Sequence, residues 1–505
     1  MQRTSCSLRH ALLQRAAFIS APLLFLGLSA CASLSAANFK PDAAQATAEI
    51  PAAPINPATN MADWAEAAPD RQPSTDWVSE FNDPVLSALV AEAMAANTNV
   101  RSAAARLRAA EASAASARSG LYPSVGISSR ASRNETLDSR VPGVTGLSLG
   151  SNVSWEPDVW GRISDGANAG DLDAQASNAD YAAARLSIAG LTAQTWFNLI
   201  EAEMQTDLAQ RNVQTQDRAL RLTKRRFDGG VSGSSDYRLA RSALANAEAT
   251  LALRRQNQNA TARLLETLLR RYPEDALSAP EGLPSLPPLI GAGAPSEIFL
   301  RRPDLLAAER RLRSAGLRVD FAQKNLLPRL TLDGGVSTGG GSLTRLFSLE
   351  ALGASLVGNL TAPVFQGGAL KAEAARNEAV LDQQLESYAD TVLTAYREVE
   401  DALDGEDLLR QREEALAISL EEARKAEERL ELRFSEGLAS ILQLLDAQSR
   451  RISAEGQLIS ARKERLANRV RLHLALGGGV YGAEDARTPF ERPKFPAPDF
   501  LGLNQ

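Results

Sequence analysis

The chain is poor in the residues on which most protein chemistry depends. Its 505 residues include two histidines and two cysteines, and aromatics make up only 5%. Cys6 and Cys31 both lie close to the start, so the rest of the chain has no disulfide framework. His10 is equally early, which leaves His473 as the one later imidazole. That leaves a single imidazole to serve as a base and excludes a zinc cluster built on several imidazoles and thiols. Gly146-Leu147-Ser148-Leu149-Gly150 is spelled like a nucleophile elbow. That pattern needs a strand-to-helix turn and a histidine base, whereas here it opens an alternating stretch. His473 closes a helical pattern, where packing or capping is the expected role. No P-loop and no metal-ligand spacing occurs, so the chain is expected not to be an enzyme and to hold no metal. Acids also outnumber bases, 61 to 55. A net charge of −6 offers nothing to neutralise a run of phosphates, so nucleic acid is not an expected partner.

What is present begins with an export signal. Arg3, Arg9 and Arg15 form a basic region, and residues 16–28 are apolar except at Ser20, Pro22 and Gly27. This run is too short to span a bilayer as a mature helix. It ends in Leu28-Ser29-Ala30-Cys31, which resembles the bacterial lipobox. The resemblance implies that residues 1–30 are a lipoprotein signal peptide, and that Cys31 carries diacylglycerol and palmitate. No other cofactor is expected. Ala32 is not Asp, and by the sorting pattern of such lipoproteins this implies delivery to the outer membrane. Acyl chains worth about 0.8 kcal/mol per buried methylene would hold the protein there. Residues 31–71, rich in Ala, Pro and Asn without periodicity, read as a tether.

The remainder is duplicated, with repeats over 72–298 and 299–476 and a tail over 477–505. Asn99-Val100 and Leu121-Tyr122-Pro123 align with Asp304-Leu305 and Leu326-Leu327-Pro328. Pro157 and Gly161 align with Pro363 and Gly367, and Arg226-Phe227 with Arg433-Phe434. The displacement creeps from 205 to 207 along the chain, so the insertions between the halves are very small.

Within each repeat the hydrophobic period switches twice. A helix over 98–120, or 303–325, spans roughly 35 Å at 1.5 Å per residue. Strands follow at about 121–132 and 147–156, then at about 329–336 and 351–361. Leu147, Leu149, Val153 and Trp155 alternate with Ser148, Gly150, Asn152 and Ser154. Leu352, Ala354, Leu356 and Leu360 alternate with Gly353, Ser355, Asn359 and Thr361. One apolar and one small-polar face at period two is the mark of a membrane barrel strand. Gly- and Ser-rich loops over 133–146 and 337–348 join the strands of each pair.

Long helical hairpins over 163–270 and 369–475 come next. Their first arms lack proline and would reach roughly 100 Å. Leu381, Leu385, Tyr388, Val392, Tyr396, Val399 and Leu403 form one apolar stripe, as in a coiled coil. Gly229-Gly230 and Glu436-Gly437 end these arms. Ser234-Ser235-Asp236 is expected to cap the first return helix, and Ser440, more weakly, the second.

Four strands do not close a barrel, and an open sheet edge is not tolerated in lipid. The strands must therefore be pooled between copies, and three copies giving about twelve strands leave a lumen.

Residues along nearly the whole chain resemble the TolC family of outer-membrane channels, in its lipidated NodT-type branch. They are Trp77 with Phe81-Asn82-Asp83-Pro84-Val85-Leu86, and Trp155-Glu156-Pro157-Asp158-Val159-Trp160-Gly161-Arg162. Further on come Pro295-Ser296, Leu300-Arg301-Arg302-Pro303-Asp304-Leu305, Ala362-Pro363-Val364-Phe365-Gln366-Gly367-Gly368 and Leu474-Ala475-Leu476-Gly477-Gly478-Gly479. Val480 departs from the Trp that commonly follows those glycines.

The resemblance implies a mainly α fold with a membrane β-barrel. It implies a homotrimer with a shared twelve-stranded barrel and a helical periplasmic tube. Its expected partners are outer-membrane lipid, a periplasmic adaptor (membrane fusion) protein and an inner-membrane resistance-nodulation-division pump. The expected role is passive export of small molecules such as drugs or toxic compounds. It also places a periplasmic constriction at Leu442, Gln443 and Asp446, where some relatives carry a second acid in place of Gln443. Gly230, Gly233 and Gly437 would be the adaptor-contact tip, or simply helix ends. Tyr122, Trp155, Trp160 and Phe365 would form a membrane-interface girdle, or pack where strands turn into helices. The Arg301-Arg302-Pro303-Asp304 box reads as structural, its arginines paired with acids on neighbouring helices. Two alternatives remain at this stage: an exit duct for a type I protein-secretion transporter, and a lipid-anchored periplasmic coiled coil without a pore.

Overall fold

Proline and glycine punctuate the chain as the pattern predicts. The computed structural model describes residues 76–135, 143–280, 282–292 and 297–478. The signal peptide, Cys31 and the tether lie outside the described residues, as do Pro295-Ser296 and the tail from 479 onward. In the first repeat the order is α1 (Pro84–Ala96), α2 (Thr98–Ser119), β1 (Ser124–Asn134), β2 (Val144–Trp155), α3 (Arg162–Asp228) and α4 (Ser234–Leu268). In the second it is α5 (Pro303–Lys324), β3 (Arg329–Gly340), β4 (Leu352–Thr361), α6 (Ala369–Ser435) and α7 (Ile441–Ala475).

The two repeats match in length helix for helix. α2 and α5 have 22 residues each, α3 and α6 67 each, and α4 and α7 35 each. Equivalent positions are 205 apart in the opening helices and 207 apart in the hairpins. This corrects one alignment: Gly161 corresponds to Gly368, not Gly367. Both stand immediately before a long helix in the left-handed region, at φ 72° and 85°. Gly367 is an extra residue in the second repeat.

Helix starts follow the capping chemistry, with one reversal. Asp83 caps α1 by accepting from the amides of Val85 at 2.9 Å and Leu86 at 3.0 Å, and Pro84 occupies the first turn. α1 was not separately legible beforehand. Of the two return helices, it is α7 that carries the strong start, a capping box between Ser440 and Gln443. α4 begins after Gly233 without a side-chain cap, because Ser234, Ser235 and Asp236 already lie inside the helix.

The strands form one antiparallel sheet in the order β1-β2-β3-β4, so β1 and β4 are its edges. β1 begins at Ser124 rather than Leu121, because residues 121–123 form the turn out of α2. β3 runs on to Gly340, and a single helical turn, Leu343–Leu346, sits where only a loop was expected.

The largest core lies midway along α3. Trp77, Phe81, Trp196, Phe197, Leu199, Ile200 and Leu265 are fully buried there. The Trp196 indole donates to Asp83 Oδ2 at 2.8 Å, locking the entry segment to the long helix. His473 is buried and stacks on Trp77 with centroids 5.6 Å apart, a packed residue as expected. The linker after α4 is strapped over this core. Glu266 accepts from the amides of Asp275 and Ala276, and Arg469 donates to the Pro287 carbonyl at 2.6 Å. Among the described residues, no helix is long and apolar enough to cross a membrane.

Candidate functional site

The strand register assembles two continuous faces from the alternation. Val125 lies opposite Val153, and Ile127 opposite Ser151. Val153 lies opposite Gly334 and Trp155 opposite Leu332. Gly334 faces Leu356, and Leu330 faces Leu360. One face thus gathers the apolar side chains of all four strands, and it is bare to its surroundings: Ile127 is 82% and Leu356 81% exposed. Four side chains of this kind in water would each forgo roughly 1.5–3 kcal/mol of burial, so the face demands an apolar medium.

The opposite face is built mainly of Ser, Gly and Asn, with Arg130 and one carboxylate among them. Asp333 accepts from Ser154 Oγ at 2.7 Å and from Asn359 Nδ2 at 3.1 Å, which ties β2, β3 and β4 together. Sequence reasoning passed over Asp333. Its signal was available, since it is the only acid in any of the four strands. A charge in such a strand belongs on the water-filled side.

Where strands turn into helices, the four aromatics divide. The Trp155 indole donates to the Leu121 carbonyl at 3.1 Å, and the Trp160 indole to the Pro328 carbonyl at 2.6 Å. These two hold the swivel. Tyr122 and Phe365 are instead 66% and 87% exposed, which suits an interfacial girdle. Asp158, in the same box, is a capping residue that sequence reasoning did not single out. Its oxygens accept from the amides of Ile163 and Ser164, both at 2.8 Å, and from Ser164 Oγ at 2.5 Å. Burial pushes its carboxyl up, but these hydrogen bonds and Arg162 outweigh burial and hold it below the ordinary carboxylate value.

At the far ends of the hairpins, Gly230 and Gly437 adopt φ 74° and 83°. Each closes its helix with the paired backbone bonds of a Schellman turn, Val231 to Arg226 and Leu438 to Arg433. Gly233 is extended and has no such duty. Arg226 crosses from α3 to the second turn, donating to the Phe434 carbonyl at 2.7 Å and lying over the Phe434 ring at 5.0 Å. On α7, Ile441 and Leu444 are buried against Ala240 and Phe434. That leaves Leu442, Gln443 and Asp446 together on the exposed face, with Leu442 64% exposed. Two adjustments follow. Gln443 is engaged in the capping box rather than free. Asp446 accepts from Arg450 Nε at 2.8 Å, so a neighbouring base already accompanies its charge.

The arginine box divides as well. Arg302 is buried and holds three elements: Asp304 at 2.7 Å, Glu398 on α6 at 2.7 Å and the Ala475 carbonyl at 3.1 Å. Pro303 occupies the first turn of α5. Arg301 does not reach a neighbouring helix but pairs with Glu297 one turn back at 2.7 Å. Gly477, at φ 71°, packs so closely on Arg301 that an added Cβ would sit 2.7 Å from its carbonyl carbon.

Among the described residues no group of acids, histidines and cysteines could hold a metal. Ser148, the serine of the elbow-like stretch, sits within β2 opposite Arg130.

Comparison with known proteins agrees with this layout. The family model described as "outer membrane efflux protein" matches residues 89–269 and 294–478. The pyoverdine export outer membrane protein OpmQ of Pseudomonas putida is 32% identical over 82% of this chain and 89% of its own. The solved outer-membrane channel OprN superposes with a TM-score of 0.76 at 28% identity, covering 83% of this chain and 96% of its own. The open-state MtrE outer membrane channel of Neisseria gonorrhoeae does so with a TM-score of 0.71 at 29% identity, covering 79% and 90%. These are channels rather than enzymes. The chain therefore belongs to the outer membrane efflux protein family, and serves as the outer-membrane exit duct of an efflux system.

Proposed function

We propose that three copies of this chain close a twelve-stranded barrel, with the apolar sheet face in lipid and Asp333 facing the lumen. The helical hairpins continue the duct into the periplasm. Acylation of Cys31 anchors each copy. A periplasmic adaptor docks at the turns around Gly230, Gly233 and Gly437, and a resistance-nodulation-division pump supplies the energy. Small toxic molecules are the cargo, a class in keeping with relatives named for toluene and cation efflux. Leu442, Gln443 and Asp446 narrow the periplasmic end, where each Asp446–Arg450 pair softens the mutual repulsion of the three acids.

One observation supports this reading above the others: a sheet with a bare apolar face and two unpaired edges. A coiled coil without a pore would have no use for it. Negative-stain microscopy of the detergent-purified protein, with mass from light scattering, should give elongated three-fold particles with a detergent belt near one end. Monomers, or rods without a belt, would overturn it. In planar bilayers, Leu442→Ser with Asp446→Ser should raise single-channel conductance severalfold. An unchanged conductance would remove these residues from the constriction.

A further inference from the structure

The strands carry very few charged side chains, and one of them has no structural duty. Arg130 and Arg133 stand on β1, Arg329 and Asp333 on β3, and β2 and β4 have none. Arg133 lies on the apolar side of the sheet, at the rim farthest from the helices, and pairs with Glu135 at 2.6 Å. Arg329, at the helix end of β3, donates to Asn325 Oδ1 at 2.8 Å. Asp333 accepts from Ser154 and Asn359. The Arg130 guanidinium is exposed, and among the described residues it has neither an ion pair nor a hydrogen-bond partner.

The register accounts for its isolation. Arg130 shares the polar face with Asp333 and stands opposite Ser148, which in turn stands opposite Gly339. On its own strand it is flanked by Ser128 and Ser132, whose opposite residues are Gly150 and Gly146. Asp333 lies six residues before Gly339, toward the helices. At about 3.4 Å per residue that is roughly 20 Å along the strand, beyond the reach of an ion pair. The strands of another copy bring no second acid, because each copy repeats the same four. A charged residue in such a sheet is tolerated on the wet side. This one ties nothing together there, and the serines and glycines around it leave its donors open.

We propose that Arg130 is a specificity residue of the duct: three copies form a cationic ring in the outer half of the barrel that takes up anionic cargo, carboxylates or phosphates, on its way out. This rests on the reading that three copies close one barrel with Asp333 toward the lumen, and it adds the charge class that the barrel favours. A twelve-stranded barrel is roughly 25 Å across between backbones. Three inward guanidinium groups therefore all lie within about one Debye length of the axis, ~10 Å at 0.1 M salt. Rings of arginine are the usual means by which a pore selects anions.

Reversal potentials in planar bilayers test it, with the full-length lipidated protein carrying Leu442→Ser and Asp446→Ser as the parent. A KCl gradient from about 0.01 to 0.1 M keeps screening weak. Adding Arg130→Gln should lower the chloride-over-potassium permeability ratio by roughly twofold or more, and Arg130→Lys should restore it. Sulfate should depress the chloride current of the parent at lower concentration from the extracellular side than from the periplasmic side. An unchanged permeability ratio in Arg130→Gln would overturn the ring while the channel stands. Should that variant not assemble, a parent current indifferent to sulfate would overturn it equally. If the parent gives neither conductance nor three-fold particles, the barrel reading falls and the ring with it.

Discussion

The same stretch of backbone does opposite work in the two repeats. Trp196-Phe197-Asn198-Leu199-Ile200 of α3 corresponds to Leu403-Asp404-Gly405-Glu406-Asp407 of α6. The first is sealed under α1 and the strapped linker, with Trp196 bonded to Asp83. The second has no such cover. Glu406 pairs with the buried Arg469 at 2.7 Å, and Asp407 with Arg410 at 2.6 Å at the surface. Duplication has kept the helix and exchanged what it faces. α3 is enclosed by its own chain, whereas α6 keeps an open flank.

The largest test of that contrast is truncation at one matched position. Trp196→Ala should cost about 3–5 kcal/mol, since it opens a cavity and strands Asp83. Leu403→Ala, at a half-buried site, should cost about 1–2 kcal/mol. Apparent melting temperatures in detergent would show the difference; equal losses would mean that the two flanks are equally enclosed.

The next contrast lies at the helix starts. α3 has Asp158 as a cap, while α6 starts after Gly368 with no side-chain cap. Asp158→Ala should cost about 1 kcal/mol at neutral pH. The Asp158 carboxyl is held below its ordinary value in the folded state. Its contribution is therefore complete above the ordinary carboxylate range and is lost as pH falls through the lowered value. Wild type and variant should converge only in that acidic window. A gap that closes at neutral pH would refute the assignment.

The smallest contrast is at the turns. Ala at either Gly230 or Gly437 meets left-handed strain of about 1 kcal/mol. An added Cβ at Gly437 also comes within 3.0 Å of Arg226, whereas at Gly230 it meets nothing within 4 Å. Gly437→Ala should therefore cost the more in melting temperature, by a few tenths of a kcal/mol. The opposite order would show that Arg226 moves aside freely.

Much of the fold was legible because its elements are long and periodic. The hairpin arms lack proline, and the strand faces alternate cleanly enough for the register to stack Val125, Val153 and Leu356 on one side. Most of what escaped depends on contacts between distant residues. One local signal was overlooked: Gln443, three residues after Ser440, completes a capping box, whereas Tyr237 stands at the same distance from Ser234. The reach of Arg302 to Glu398 needs α6 docked on the start of α5, and that of Arg226 to Phe434 needs two repeats docked side by side. Asp446 was legible as a position, but Arg450 beside it was overlooked although it stands only four residues on.

The equal lengths of the hairpin arms act as a ruler. Both first arms have 67 residues and both return arms 35, so the two turns finish level. Loss of one heptad from a single hairpin would leave its turn about 10 Å short of its neighbour. Deletions in one repeat are tolerable only when the other shortens in step. Drift in length between the halves is thereby confined to the strands with their loops and to the junction of strand and long helix, where the two residues of net insertion are found.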